Sequence, residues 1–85
     1  MSDSIDTMRP MHPMTPAQSH FAVFCIESLA DELQTTGDAI YVMLTEQSDI
    51  LDGYILPSYE ALHSQGKAYI VRELMEIMRM RGIIE

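Results

Sequence analysis

The stretch YILPSYEALHSQGKAYIVRELMEIMRMRG, residues 54–82, decides the fold because it holds the longest clean helical period in the chain. At about 100° per residue, its later apolar side chains fall on one arc, whereas Arg72 and Arg79 fall on the other side. The apolar arc comprises Ile70, Val71, Leu74, Met75, Ile77 and Met78. Gly82 follows the last periodic residue, where a left-handed backbone is easiest without a Cβ. The pattern predicts a helix from about 66 to 81.

Two more helices are predicted upstream of this stretch. Thr15-Pro16 is typical of a helix start, with a hydroxyl N-cap and proline at the first helical position. The apolar arc that follows contains Phe21, Ala22, Cys25, Ile26, Leu29, Ala30 and Leu33, which predicts a helix over 16–34. A threonine of the Thr35-Thr36 pair then opens a second helix over about 37–47.

The segment between these helices and the last one allows two interpretations. Pro57 fixes its own backbone and should push Leu56 away from helical geometry. Either a short turn at 49–52 precedes a helix with Pro57 in its first turn, or one kinked helix runs over 49–63. We favour the first, and we expect Ser64 to cap the final helix.

The fold class that these elements predict is all-α. No run with a period of two competes with them, and the apolar residues recur at spacings of three and four. We expect one small bundle of four or five helices with short loops over residues 16–85, preceded by a flexible tail over 1–15. Hydrophobic residues make up 47% of the 85-residue chain, which suffices for one compact core.

The charge balance argues against nucleic acid as a partner. The net charge is −8, and a phosphate backbone requires a basic face. Arg72 and Arg79 share a face, but we expect Glu76 between them to pair with them. The sequence shows no signal peptide and no apolar run of about 20 residues, so we expect a soluble cytoplasmic protein with no membrane contact.

Part of the chain resembles a known family. Residues 54–65, YILPSYEALHSQ, followed by Tyr-Ile-Val at 69–71, are similar to the hallmark of the domain of unknown function 3791 family. Residues 24–30, FCIESLA, resemble the first helix of that family, so the resemblance spans roughly 20–83. It implies a small helical bacterial protein. Genes of this family often neighbour genes for proteins that look like ADP-ribosyltransferases, which implies an accessory or regulatory role beside such a protein.

One polar and aromatic cluster, formed by Tyr59, His63, Gln65 and Tyr69, is the main candidate site. An imidazole oriented by a neighbouring group can act as a base. We favour a structural role for His63 instead, in which its side chain bonds backbone carbonyls at a helix end. The chain carries no catalytic, cofactor or metal signature, because its cysteine and histidines are scattered.

A second set of residues is a candidate interaction surface. Phe24, Tyr41 and Val42 fall outside the main apolar arcs of their helices. For Phe24, cover by a neighbouring segment of the chain is the favoured explanation and contact with a partner is the alternative. Cys25 lies within the apolar arc, where it is expected to be a small buried hydrophobe rather than a nucleophile.

Two hypotheses about function follow. In the first, the protein is an interaction module without catalysis or cofactor, binding a protein partner that carries a basic patch, or a second copy of itself. In the second, it is a small ligand-binding or enzymatic domain centred on His63, Tyr59 and Tyr69.

Overall fold

The computed structural model describes residues 14–85, and all of its regular elements are helical. In chain order they are α1 (Pro16–Leu33), α2 (Gly37–Thr45), a π-helical segment (Leu51–Ile55), α3 (Tyr59–Leu62) and α4 (Lys67–Met80). The predicted all-α fold with short loops is confirmed. The predicted tail lies almost wholly outside the described residues.

The helix starts follow the caps that the sequence suggested. The Thr15 hydroxyl oxygen accepts a hydrogen bond from the Gln18 amide at 3.1 Å, and the Gln18 side chain accepts one from the Thr15 amide at 3.0 Å. This capping box satisfies two amides that α1 would otherwise leave unpaired. The Thr36 hydroxyl oxygen accepts from the Ala39 amide at 3.1 Å at the start of α2. Both helices therefore begin where their threonines place them.

The helix ends use left-handed residues. Gly82, after α4, has a φ of 74°, as predicted from its position. Gln34, after α1, has a φ of 55° and is the one non-glycine residue with positive φ in the part of the chain that the structure describes. Its amide still donates to the carbonyls of Ala30 and Asp31, so the last turn of α1 is satisfied without glycine.

The core lies where α1 packs against both α2 and α4, with the π-helical segment against α2. Residues with fully covered side chains come from every element except α3: Cys25, Leu29, Ile40, Leu44, Ile50, Ile55, Ile70, Leu74 and Met78. On α4 the buried residues are four of the six on the predicted arc, and Met75 and Ile77 are partly buried beside them. From α3, Leu62 completes the core.

The prediction around Pro57 is wrong. Leu56 is helical, with φ −69° and ψ −45°, and its amide donates to the Leu51 carbonyl five residues back at 3.0 Å. An α-helical turn here would press the proline ring against the carbonyl four residues earlier, whereas the wider π-helical turn relieves this clash. Pro57 itself lies in the turn before α3 rather than in the first turn of that helix.

The predicted cap of α4 is also wrong. Its N-cap is Gly66, in extended backbone with φ −74° and ψ 161°, and no side chain bonds the first turn. Ser64 lies two residues too early in the chain to reach those amides. Instead, the carbonyl of Gly66 accepts from the Ile70 amide at 3.0 Å, which sets the first helical turn of α4.

Candidate functional site

A continuous row of four rings joins α1 to α3. The Phe24 and Phe21 rings lie 6.3 Å apart between centroids, Phe21 meets Tyr59 edge to face at 5.5 Å, and Tyr59 stacks on His63 at 4.4 Å with 11° between planes. These geometries are the arrangements that aromatic pairs prefer. We call Phe24, Phe21, Tyr59 and His63 the aromatic row.

Helical spacing builds both halves of the row. Phe21 and Phe24 are three residues apart on α1, and Tyr59 and His63 are four apart at the start and end of α3, so each pair shares a helix face. Phe21 is buried, Tyr59 is half-buried, and the two ends of the row, Phe24 and His63, are exposed. The row is thus anchored in the core at its centre and exposed to solvent at its ends.

The bonds to backbone carbonyls that we predicted for the His63 side chain are not found among residues 14–85. Its side chain makes no hydrogen bond to a backbone carbonyl or carboxylate among residues 14–85, and only its backbone amide is engaged, donating to the Tyr59 carbonyl at 2.9 Å. The helix end is satisfied by that backbone bond. The imidazole is left to stack on Tyr59, with its nitrogens free of protein partners in this part of the chain.

The other two members of the predicted cluster are not joined to this pair. Gln65 is exposed in the turn before α4, and within residues 14–85 only its backbone amide is bonded, donating to the Leu62 carbonyl. Tyr69 is on α4, where the guanidinium of Arg72 lies 5.5 Å from its ring centroid. The structure therefore pairs Tyr59 with His63 and directs Tyr69 to a cation.

Tyr69 lies beside another tyrosine that sequence reasoning did not single out. Burial raises the pKa of Tyr54, and the nearby Glu73 carboxylate and the Tyr69 hydroxyl raise it further. Tyr54 thus remains a neutral phenol over a wider pH range than a free tyrosine, which disfavours it as a base at neutral pH.

The predicted interaction surface is exposed at two of its three residues. Phe24 keeps 38% of its surface exposed and Tyr41 keeps 51%, whereas Val42 is half-buried. Phe24 packs against Phe21 of the same helix and is still accessible, and its contact with a partner stays a prediction. Val23, next to Phe24, is a further exposed apolar side chain that the helical arc did not identify.

An open groove of about 580 Å³, which the sequence analysis does not predict, lies between the end of α1 and the length of α4. It is lined by Glu32, Lys67, Ala68, Val71, Arg72, Met75 and Arg79. The spacing of four residues through Lys67, Val71, Met75 and Arg79 could have indicated it. A pairing of Glu76 with both arginines, which the sequence predicts, would instead close this face of α4.

The pairing through Glu76 is not found. Within residues 14–85, the one ion pair closer than 4.0 Å joins Arg81 to Asp49 at 2.6 Å. This contact holds the pKa of Asp49 below its usual value, through the hydrogen bond and the charge of Arg81. Arg72 and Arg79 are exposed on α4. Arg72 lies against the ring of Tyr69, and the Arg79 Nε donates to the main-chain oxygen of Glu85 at 3.3 Å.

The remaining groups offer little chemistry. Burial raises the pKa of the Cys25 thiol to about 12, so the thiolate needed for a nucleophile is scarce at neutral pH, as expected for a buried hydrophobe. In the described residues, no three His, Cys, Asp or Glu side chains lie close enough together to hold a metal ion. No helix among residues 14–85 has the length and apolar character needed to cross a bilayer.

The chain matches a family of known proteins. No curated protein and no solved structure is similar to it. The profile of a family described as a protein of unknown function, DUF3791, matches residues 20–81, which runs from within α1 through the end of α4. The match covers most of the chain and the whole of the aromatic row, and the chain therefore belongs to the DUF3791 family.

Proposed function

We propose that this protein is an interaction module that binds another protein through the aromatic row and catalyses no reaction itself. The observation that supports this most is the exposed end of the row at Phe24, backed by the buried ring of Phe21. Aromatic side chains of this kind dominate binding energy when a partner covers them. They also lose little conformational entropy on binding, because they have only two side-chain torsions.

The aromatic row is held rigidly, and rigidity favours binding. Tyr59 contacts Phe21 on one side and His63 on the other, so the row is fixed by packing between two helices rather than by a loop. A surface whose side chains are already ordered loses less freedom on association. The net charge of −8 suits a partner with a basic patch, which accelerates encounter.

The partner that the family resemblance suggests is an ADP-ribosyltransferase-like protein, which this chain would regulate or accompany. The competing proposal is a ligand-binding or enzymatic domain centred on His63, Tyr59 and Tyr69. Its support is the stack of Tyr59 and His63 at 4.4 Å, but among the described residues no aromatic contact brings Tyr69 to that pair.

The test compares two adjacent exposed positions of α1. The protein is used to isolate a partner from its own cells. The purified partner is then titrated with the parent protein, with Phe24→Ser, and with Val23→Ser as the matched control. We expect Phe24→Ser to weaken binding by roughly 10-fold or more, as for an interface hot spot, and Val23→Ser to change it by less than about threefold. Both side chains are exposed, so the melting temperatures should stay close to the parent.

Either of two results would reject the proposal. One is a Phe24→Ser protein that binds the partner as tightly as the parent. The other is a protein that retains no partner yet turns over or tightly binds a small molecule in a way that His63→Asn abolishes. Light scattering on the pure protein separates a second copy from a different partner.

A further inference from the structure

The groove between α1 and α4 concentrates positive charge in an acidic protein. Four of the five lysines and arginines fall within residues 14–85, and three of these four, Lys67, Arg72 and Arg79, line the groove. The fourth, Arg81, is held by Asp49. Within residues 14–85, no ion pair closer than 4.0 Å joins the three lining cations to an acidic side chain, and the Arg79 Nε donates to the main-chain oxygen of Glu85 at 3.3 Å.

The floor of the groove is apolar. Val71 is buried, Met75 is half-buried, and Ala68 is exposed at the rim. Unbranched methionine adapts to varied apolar partners. A ligand for this groove would therefore present apolar side chains to the floor and negative charge to the cations.

The cations are spread along the helix rather than focused on one point. From Lys67 to Arg79 is a rise of roughly 18 Å at about 1.5 Å per residue, with Arg72 between them. A single phosphate or carboxylate is recognised by groups that converge on it, whereas this spacing matches successive acidic residues along an extended ligand. Three cations are also few for a nucleic acid beside an overall charge of −8.

We propose that the groove binds an acidic amphipathic helix of a partner protein, with its apolar face on Val71 and Met75 and its carboxylates on Lys67, Arg72 and Arg79. This is the helix-in-groove mode of recognition. Glu32 of α1 lines the opposite side of the groove and repels carboxylates there. The acidic edge of the partner's helix must therefore face α4. The inference rests on the proposed function only in taking the protein to be an interaction module, and it names a second surface.

The test uses a labelled amphipathic peptide of about 18 residues, long enough to form helix, with leucines on one face and glutamates on the other. A matched peptide carries lysines in place of the glutamates. Fluorescence anisotropy should show the acidic peptide binding, and the basic peptide binding roughly 10-fold more weakly or not at all. The double variant Arg72→Gln, Arg79→Gln should lower the affinity for the acidic peptide by roughly 10-fold, and raised salt should lower the parent's affinity similarly.

Two control variants separate the position of a charge from its sign. Arg81→Gln also removes a cation, but one that does not line the groove and whose charge is already paired with Asp49, so it should change the affinity by less than about twofold. Glu32→Gln should strengthen binding of the acidic peptide, the opposite sign to the arginine variants. All these side chains are exposed, so the fold should be retained.

The proposal is overturned if the acidic peptide does not bind, or if Arg81→Gln lowers the affinity for this peptide as much as the double arginine variant does. It is also overturned if a DNA duplex or inorganic phosphate displaces the peptide at comparable concentration, because the site would then recognise anions in general. Phe24→Ser should leave peptide binding unchanged. If the parent protein does not bind the acidic peptide but still binds a partner through Phe24, the groove proposal is rejected and the proposed function is not.

Discussion

At the scale of single residues, stability rests on a small number of side chains that are completely covered. Leu74 has 0% of its surface exposed and lies midway along α4, facing the core. A domain of this size has a small margin of stability, so one such side chain carries a large share of it.

We expect Leu74→Ala to lower the free energy of unfolding by about 2–5 kcal/mol, because truncation leaves a cavity that the core fills only partly. Denaturant unfolding measures this. Met80→Ala on the same helix, where 76% of the side chain is exposed, should change the free energy by less than about 0.5 kcal/mol. Equal effects of the two variants would show that the buried face of α4 is misassigned.

The raised thiol pKa of Cys25 should make the folded protein less stable at high pH. Its thiol pKa rises from the ordinary value of 9.0 in the unfolded chain to about 12 when folded. Above pH 9 the unfolded state therefore loses its thiol proton while the folded state keeps it, so stability falls as pH rises from about 9 towards 12. Below pH 9 the thiol is protonated in both states and contributes no slope.

Unfolding free energies of the parent and Cys25→Ala, measured across that range, test this linkage. The variant should be less stable overall and should show a flatter decline, with the remaining slope due to groups such as Tyr54. Parallel profiles would mean that Cys25 ionises as easily in the folded protein as in the unfolded chain.

At the scale of elements, helix starts give the next prediction. The hydroxyl of Thr36 caps α2, while the side chain of its neighbour Thr35 makes no hydrogen bond among the described residues. Thr36→Ala should therefore cost about 0.5–2 kcal/mol, and Thr35→Ala markedly less. Thermal unfolding of the two variants decides between them, and a larger loss from Thr35→Ala would contradict the cap.

The elements also show how far sequence reasoning reaches. Periodicity located α1, α2 and α4 and most of their buried residues, because the spacing of apolar side chains is a property of each helix alone. The turn at Pro57 and the cap of α4 were predicted wrongly, because a π-helical turn and the extended backbone of Gly66 depend on how the chain is held by its neighbours.

The candidate site divides in the same way. The stack of Tyr59 and His63 could be anticipated from their spacing of four residues. The contact of Tyr59 with Phe21 could not, because it joins α1 to α3 across a long stretch of chain. The groove was missed for a different reason, since a local rule paired Glu76 with arginines that instead remain on the surface.

At the scale of the whole molecule, the charge is unevenly arranged. A chain of net charge −8 places most of the cations of its described part along one side of α4. The aromatic row, which is exposed at its two ends, lies across α1 and α3. We expect these two surfaces to respond differently to salt. Binding through the groove should weaken strongly as ionic strength rises, whereas binding through Phe24 should depend mainly on apolar burial.

The central claim is that the aromatic row is where a different protein binds. A photoreactive amino acid placed at position 24 in living cells tests this most directly, with Asp52, an exposed residue of the π-helical segment, as the control position. The account predicts a covalent adduct to one discrete partner from position 24 and none from position 52. Adducts from position 52 alone, or an adduct from position 24 only to a second copy of this chain, would contradict it.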